Sequence, residues 1–174
     1  MRERGLELTG IERTFAEDEI IVSKTDTLGH ITYANDVFLK VSGYTEEELI
    51  GKQHSIIRNP EMPRCVFKFL WDTIETGREI FAYVNNRAKN GDHYWVFAHV
   101  TPTFDLNHKI ISYHSSRRVP KPSAVAAIKP IYAQLLEIEN CAADRKVGMN
   151  DAYKALLDTV AKKGMAYDEL VFSL

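Results

Sequence analysis

Two long β-branched and aromatic runs meeting at KNGD constrain what this chain can become. IFAYVNNRA covers residues 80–88 and HYWVFAHVTP covers 93–102. The Asn90-Gly91 pair between them is a strong hairpin signal, because a short turn with positive φ matches the twist of paired strands. KIISYHSSRR (109–118) reads as a third strand after DLNH. Upstream, EIIVSK (19–24) and HITYAN (30–35) flank the turn signals of TDTLG and read as another hairpin. Two strands, short helices and then three strands imply a five-stranded antiparallel sheet with helices on one face. The expected fold class is α+β.

Between the two groups of strands, Asn35 or Asp36 is placed to cap a short helix through Val41, ended by Ser42 and Gly43. Thr45 and Glu48 have capping-box spacing, and Gly51 suits a left-handed C-cap. HSIIRNPEMPRCVFKFLW (54–71) then sets His54, Arg58 and Glu61 around Pro60 and Pro63. Proline lacks a backbone donor and disfavours helix in the residue before it. A new helix is therefore expected to start at Pro63 and run to about Gly77. Val66, Phe67, Leu70 and Trp71 fall at helical spacing and should face inward. Polar groups thus stand at the mouth of an apolar helix, an arrangement that suits a ligand pocket or an ordinary loop.

Pro120 and Pro122 form a stiff spacer, which divides the chain into a cap segment (1–18), a sheet domain (19–119) and a helical extension (120–174). In the extension, helices are expected over 123–139 and 150–164, separated by NCAADRKVGM. The first has an apolar stripe of Ile128, Ile131, Leu135 and Ile138; the second has Asn150 as cap, a stripe of Tyr153, Leu156, Leu157 and Val160, and Gly164 as stop. Such stripes would cover the domain itself or a twin subunit in a homodimer. The net charge of -2 and the lack of a basic stripe speak against nucleic acid. No apolar run approaches the roughly 20 residues that cross a bilayer, and the polar start MRERGLELTG does not resemble a signal peptide. Two dissimilar cysteines give no disulfide framework. A cytoplasmic location is expected.

The order of these motifs resembles a PAS domain, and specifically the sensory domain of the aerotaxis-receptor type. The resemblance rests on TYANDVFLKVSGYTEEELIGKQHSIIRNPEMP and on the later LWDTIETG, NNRAKNGDHYWV and TPTFD, across about residues 15–120. It implies a flavin adenine dinucleotide (FAD) cofactor and a report of redox state to the chemotaxis machinery. Residues 121–174 do not look like a membrane anchor or signalling coiled coil. The chain is therefore similar to a stand-alone PAS subunit of bipartite energy-taxis systems, whose partner is a membrane chemotaxis receptor acting in trans. The family motif, a histidine followed by Arg-His-Pro-Asp-Met-Pro, is matched here by His54 and by Arg58-Asn59-Pro60-Glu61-Met62-Pro63. Asn59 replaces a histidine, Glu61 an aspartate, Ile80 a tryptophan and Ala82 a glycine.

The resemblance implies cofactor-binding roles for Arg58, Trp71, Asn59, Glu61, His54 and Asn86. Arg58 suits a phosphate or carbonyl because its fork matches planar or anionic oxygens; the plain alternative is a loop pair with Glu61. Trp71 is a pocket wall or a core aromatic, and His54 a cofactor contact or a loop cap. Asn85 and Asn86 are adjacent on a strand and so point to opposite faces, one inward and one to solvent. Tyr94 and Trp95 split likewise, with Trp95 expected on the outer face. His93 and His99 lie six apart on one strand, too far to share a metal; His99 and His114 would meet across a hairpin but lack a third ligand. No metal site is expected, and no catalytic set appears, so the chain is read as a sensor and not an enzyme. The alternatives are a cofactor-free interaction module and a haem-binding PAS sensor.

Overall fold

The computed structural model describes residues 7–174. Its sheet contains β1 (Ile21–Thr25), β2 (Ile31–Ala34), β3 (Ile80–Arg87), β4 (His93–Phe104) and β5 (Ile110–Arg118). All neighbours pair antiparallel in the order β2-β1-β5-β4-β3. The two hairpin groups therefore join through β1 and β5, which are far apart in sequence. Between β2 and β3 run α1 (Asp36–Ser42), α2 (Glu46–Leu49), a 3₁₀ turn (His54–Ile57) and α3 (Arg64–Ile74). The α+β expectation is met.

Local chemistry accounts for these boundaries. The Asn35 side chain accepts from Phe38 N–H and caps α1, and Gly43 ends it in the left-handed region. The Thr45–Glu48 capping box is formed on both sides. α3 begins at Arg64, one residue after the expected start, with Pro63 just outside it as N-cap. Gly29 (φ +85) passes the Trp71 ring, where an added Cβ would lie 3.1 Å from the indole. The bare backbone there lets Trp71 lie across the β1–β2 turn.

The extension differs most from the sequence reading. α4 spans Pro122–Cys141 and α5 spans Arg145–Lys162, so most of NCAADRKVGM is helical. Asp144, not Asn150, caps α5 by accepting from Lys146 and Val147 N–H. A further short helix, α6 (Tyr167–Phe172), follows. Of the two stripes, Ile128, Leu135, Leu156 and Val160 are buried within this chain, Ile131, Ile138 and Tyr153 are half-buried, and Leu157 is exposed. Tyr132 Oη donates to the Tyr83 carbonyl of β3 at 2.8 Å, and its ring stacks on Trp95. Trp95 does lie on the outer sheet face, yet it is only 6% exposed, because α4 roofs it. Asn85, expected at solvent, is buried for the same reason. Phe172 of α6 packs on Phe81 and Phe97 of the same face.

The described part of the cap segment is pinned to the β3–β4 hairpin. Backbone bonds link Thr9 to Gly91, and Arg13 and Ile11 to His93. The Asp92 carboxylate accepts from Thr9 Oγ1, Arg13 Nε and Asn90 Nδ2 at 2.6, 2.8 and 2.8 Å. These bonds, Thr9 and Arg13 first, hold its pKa down to about 2. A lowered folded-state pKa means that this anchoring is present above the ordinary aspartate value of 3.8 and is lost as pH falls toward about 2. Protection of the amides of residues 9–13, relative to their intrinsic exchange rates, should fall over that interval, and in Asp92→Asn it should already be low near neutral pH.

Candidate functional site

A cavity opens between α3, the 3₁₀ turn and the inner face of the sheet, with about 830 Å³ of free space including its mouth. Its apolar wall is built by α3, where Phe67, Leu70, Trp71 and Ile74 recur at helical spacing, facing Val84, Ala98 and Val100 of the sheet. Of the four residues expected to face inward from α3, Phe67, Leu70 and Trp71 line this space, and Val66 is buried in the core. The Trp71 indole meets Tyr113 edge-on at 5.4 Å, fixing the wall against β5.

Polar groups enter from three directions. The 3₁₀ turn brings His54 and Arg58, β3 brings Asn86, and β1 and β5 bring Ser23, Thr25, Ser115 and Arg117. Arg58 and Asn86 are joined by a backbone bridge. The Arg58 guanidinium lies 4.0 Å over the Phe67 ring, in cation–π contact. It makes no ion pair with Glu61 among the described residues. Burial, with a smaller effect from Arg64, lowers its pKa against the pull of Glu139, and its Nε has no hydrogen-bond partner. Asn86 faces the cavity and Asn85 the opposite side, as strand alternation requires.

Two of the six residues expected in the site are elsewhere. The Asn59 side chain is turned into its own loop, where Oδ1 accepts from Glu61 N–H at 2.9 Å. Glu61 is exposed, and neither residue lines the cavity. Both belong to the proline-punctuated turn: Asn59 closes an Asx turn, a local bond that competes successfully with any reach toward a ligand.

Arg117 is the residue the sequence reading missed. It is 2% exposed on β5, and its guanidinium lies 4.5 Å over Phe38. Nη2 donates to Ser23 Oγ, while Nε and Nη1 lack partners. Burial lowers its pKa to about 10. The Ser23 hydroxyl also lies 3.1 Å from His54 Nε2. With Ser23 Oγ accepting from Arg117, its proton is free to go to His54, which is then neutral with its proton on Nδ1. Burial first, then the Arg117 charge, pushes the His54 pKa down to about 3, so the ring stays neutral. The available signal was alternation: Tyr113, Ser115 and Arg117 share one face of SYHSSRR.

Among the described residues no aspartate or glutamate lines the cavity. Two arginines, His54, His114 and aromatic walls therefore form an apolar slot of positive potential. Such a slot fits a flat, conjugated ligand bearing anionic or carbonyl oxygen. A flavin meets this description, since its ring would lie against Trp71 and Phe67 and its oxygens would satisfy the unpartnered arginine nitrogens. Metal chemistry has less support. His99 pairs with Ser116 across the ladder rather than with His114, and it stacks on Phe81 and bonds Glu79. Among the described residues no group of three candidate ligands is present.

Comparison with known proteins agrees with this architecture. The family described as PAS fold matches residues 31–117, half of the chain. The aerotaxis receptor of Escherichia coli (strain K12) is 42% identical over 120 residues, which are 69% of this chain but 24% of that protein. The chain thus spans about a quarter of that relative's length. A PAS domain from Colwellia psychrerythraea superposes with TM-score 0.54 at 18% identity, over 58% of this chain and 86% of the other. A light-oxygen-voltage domain studied with a flavin analogue gives 0.53 at 23% identity, over 64% and 84%. Sheet order, helix placement and family match together make this chain a member of the PAS family, related to the aerotaxis receptor.

Proposed function

We propose that the cavity binds a flavin, FAD in the aerotaxis-receptor manner, and that the protein is a redox sensor of energy taxis. The observation that carries this reading is the aromatic-walled cavity, without an acid among the described residues, that holds the buried Arg117 and the half-buried Arg58, each with an unpartnered Nε. Similarity to the aerotaxis receptor supports it. The departures from the family motif leave the cavity intact. Asn59 and Glu61 lie outside it, and Ile80 packs with Ile74, Val100 and Tyr113 behind its wall.

Trp71, Phe67 and Leu70 would hold the ring, Asn86 would offer both donor and acceptor to its edge, and Arg58 and Arg117 would take its anionic or carbonyl oxygens. A bound flavin supplies a redox centre whose charge and protonation change on reduction. α3 transmits such a change, because its cavity side bears Phe67 and Trp71 while its other side meets the extension. Phe69 contacts Tyr153 of α5 and Tyr167 of α6, and Arg64 and Cys65 are bonded to Glu139 of α4. Reduction would shift the balance between two packings of α3 on these helices. The altered surface would be read by a membrane chemotaxis receptor in trans, with this chain working as a cytoplasmic, non-enzymatic subunit. Among the described residues no helix is long and apolar enough to cross a membrane.

Hydrogen bonds to charged groups contribute about 1.5–3 kcal/mol, so Arg58→Ala should weaken flavin binding by about tenfold or more. Trp71→Ala should lower loading similarly. Flavin per folded protein, measured beside circular dichroism, checks this. Full loading in both variants would overturn the assignment of the site.

A further inference from the structure

A buried guanidinium that keeps its charge requires a partner of opposite sign or a full set of acceptors. Among the described residues Arg117 has neither. One of its three nitrogens bonds Ser23, and the other two face no acceptor. The groups around it are the Phe38 ring, the neutral His54 linked through Ser23, and the buried Tyr94, whose phenol is pushed further toward its protonated form by burial. None of these carries negative charge at neutral pH. Arg58, the other arginine of the cavity, adds positive potential from the mouth side, where it is less buried.

We infer that Arg117 is an anion pole at the inner end of the cavity, so that the site selects its ligand by charge. It binds an aromatic ligand more tightly when that ligand places negative charge against Arg117. Resting on the flavin reading above, this means that the protein holds the reduced, singly negative ring more tightly than the neutral oxidised ring. Reduction by dithionite delivers two electrons to the ring, and one proton is taken from water, which leaves one net negative charge for Arg117 to face. Ser23 is the positioning residue: it holds Nη2 and leaves Nε and Nη1 turned to the ligand. His54, held neutral, offers no competing cation beyond the two arginines.

The test is a redox titration of the full-length protein loaded with FAD, at mildly alkaline pH with a mediator dye, beside free FAD. In the wild type the midpoint potential should lie above that of free FAD; an equal or lower value overturns the pole. In Arg117→Met the ratio of reduced to oxidised affinity should fall at least tenfold, equivalent to about 30 mV for a two-electron couple. Arg117→Lys should keep most of the wild-type ratio. A folded Arg117→Met protein with an unchanged ratio overturns the proposal, whereas one that fails to fold leaves the wild-type comparison to decide. Should the wild type take up no FAD, the flavin reading falls, and charge selection is judged by two fluorescent probes of one shape. The sulfonate 8-anilinonaphthalene-1-sulfonate should then bind more tightly than neutral N-phenyl-1-naphthylamine, and the preference should vanish in Arg117→Met. Equal affinity for the two probes in the wild type overturns the pole.

Discussion

Replacing Glu139 with alanine should release the C-terminal helices from the sheet domain. Its side chain is 1% exposed and joins α4 to the first turn of α3. One oxygen accepts from Arg64 Nε at 2.9 Å and the other from the Cys65 backbone N–H at 2.7 Å. That N–H is one of the helix-end donors without an intrahelical partner, and a carboxylate at a helix N-terminus also meets the positive end of the helix dipole. Alanine would leave the N–H unsatisfied and Arg64 unpaired. Breaking a buried pair from one side costs about 3–5 kcal/mol; because Arg64 is partly exposed, the lower end of that range is expected. The loss should be local. Amide exchange in residues 122–162 should rise well above that of β4 and β5, and protease should cut near Ala142. Glu139→Gln should cost roughly half as much, since the amide oxygen can still accept from Cys65. Uniform destabilisation of sheet and extension would show that the two parts unfold as one unit.

The same joint depends on Gly148. An added Cβ there would lie 2.3 Å from the Glu139 carbonyl oxygen, so α4 and α5 approach closely only because this residue has no side chain. Cys65 stands beside the carboxylate, and burial, reinforced by Glu139, pushes its thiol up to about 12. It is therefore a packing residue at neutral pH and not a reactive thiolate.

Phe38→Ala should produce the largest global loss. The ring is fully buried, lies under the Arg117 guanidinium, and stacks on His54 with ring centroids 6.1 Å apart. Truncating a buried phenylalanine costs about 3–5 kcal/mol through lost transfer energy and the cavity left behind. For a chain of this size the melting temperature should fall by about 10 °C. The hole would open directly beneath Arg117, admitting water and relieving part of its desolvation. The variant should consequently bind flavin poorly even at temperatures where it is folded. Phe38→Leu should recover most of the stability and only part of the binding. Full ligand affinity in folded Phe38→Ala would show that Arg117 does not depend on this support.

Much of the fold was readable because local signals agree with the final structure. Alternating β-branched and aromatic residues set the strands, KNGD set a hairpin, and Asn35 and the Thr45–Glu48 pair set helix starts. Each needs only neighbours within a few residues. The extension was harder. Arg145–Met149 gives a weak apolar pattern, since part of its inward face is Gly148, whose value lies in what it lacks.

The site divides along the same line. Arg58, Trp71, His54 and Asn86 were found through motif order, and the structure gathers them around one cavity. Asn59 and Glu61 share that motif, yet a two-residue hydrogen bond turns Asn59 into its own loop. Arg117 and Ser23 lie 94 positions apart in sequence and meet only because β1 and β5 pair across the sheet. Likewise, Glu139 reaches the start of α3 from 74 positions away. By itself the sequence determined the elements of the sheet domain, their order and the antiparallel sheet, because periodicity and capping act over short distances. Only the tertiary structure decided which charges are buried without a counter-charge. That depends on every surface that closes over a side chain, and such surfaces come from distant parts of the chain.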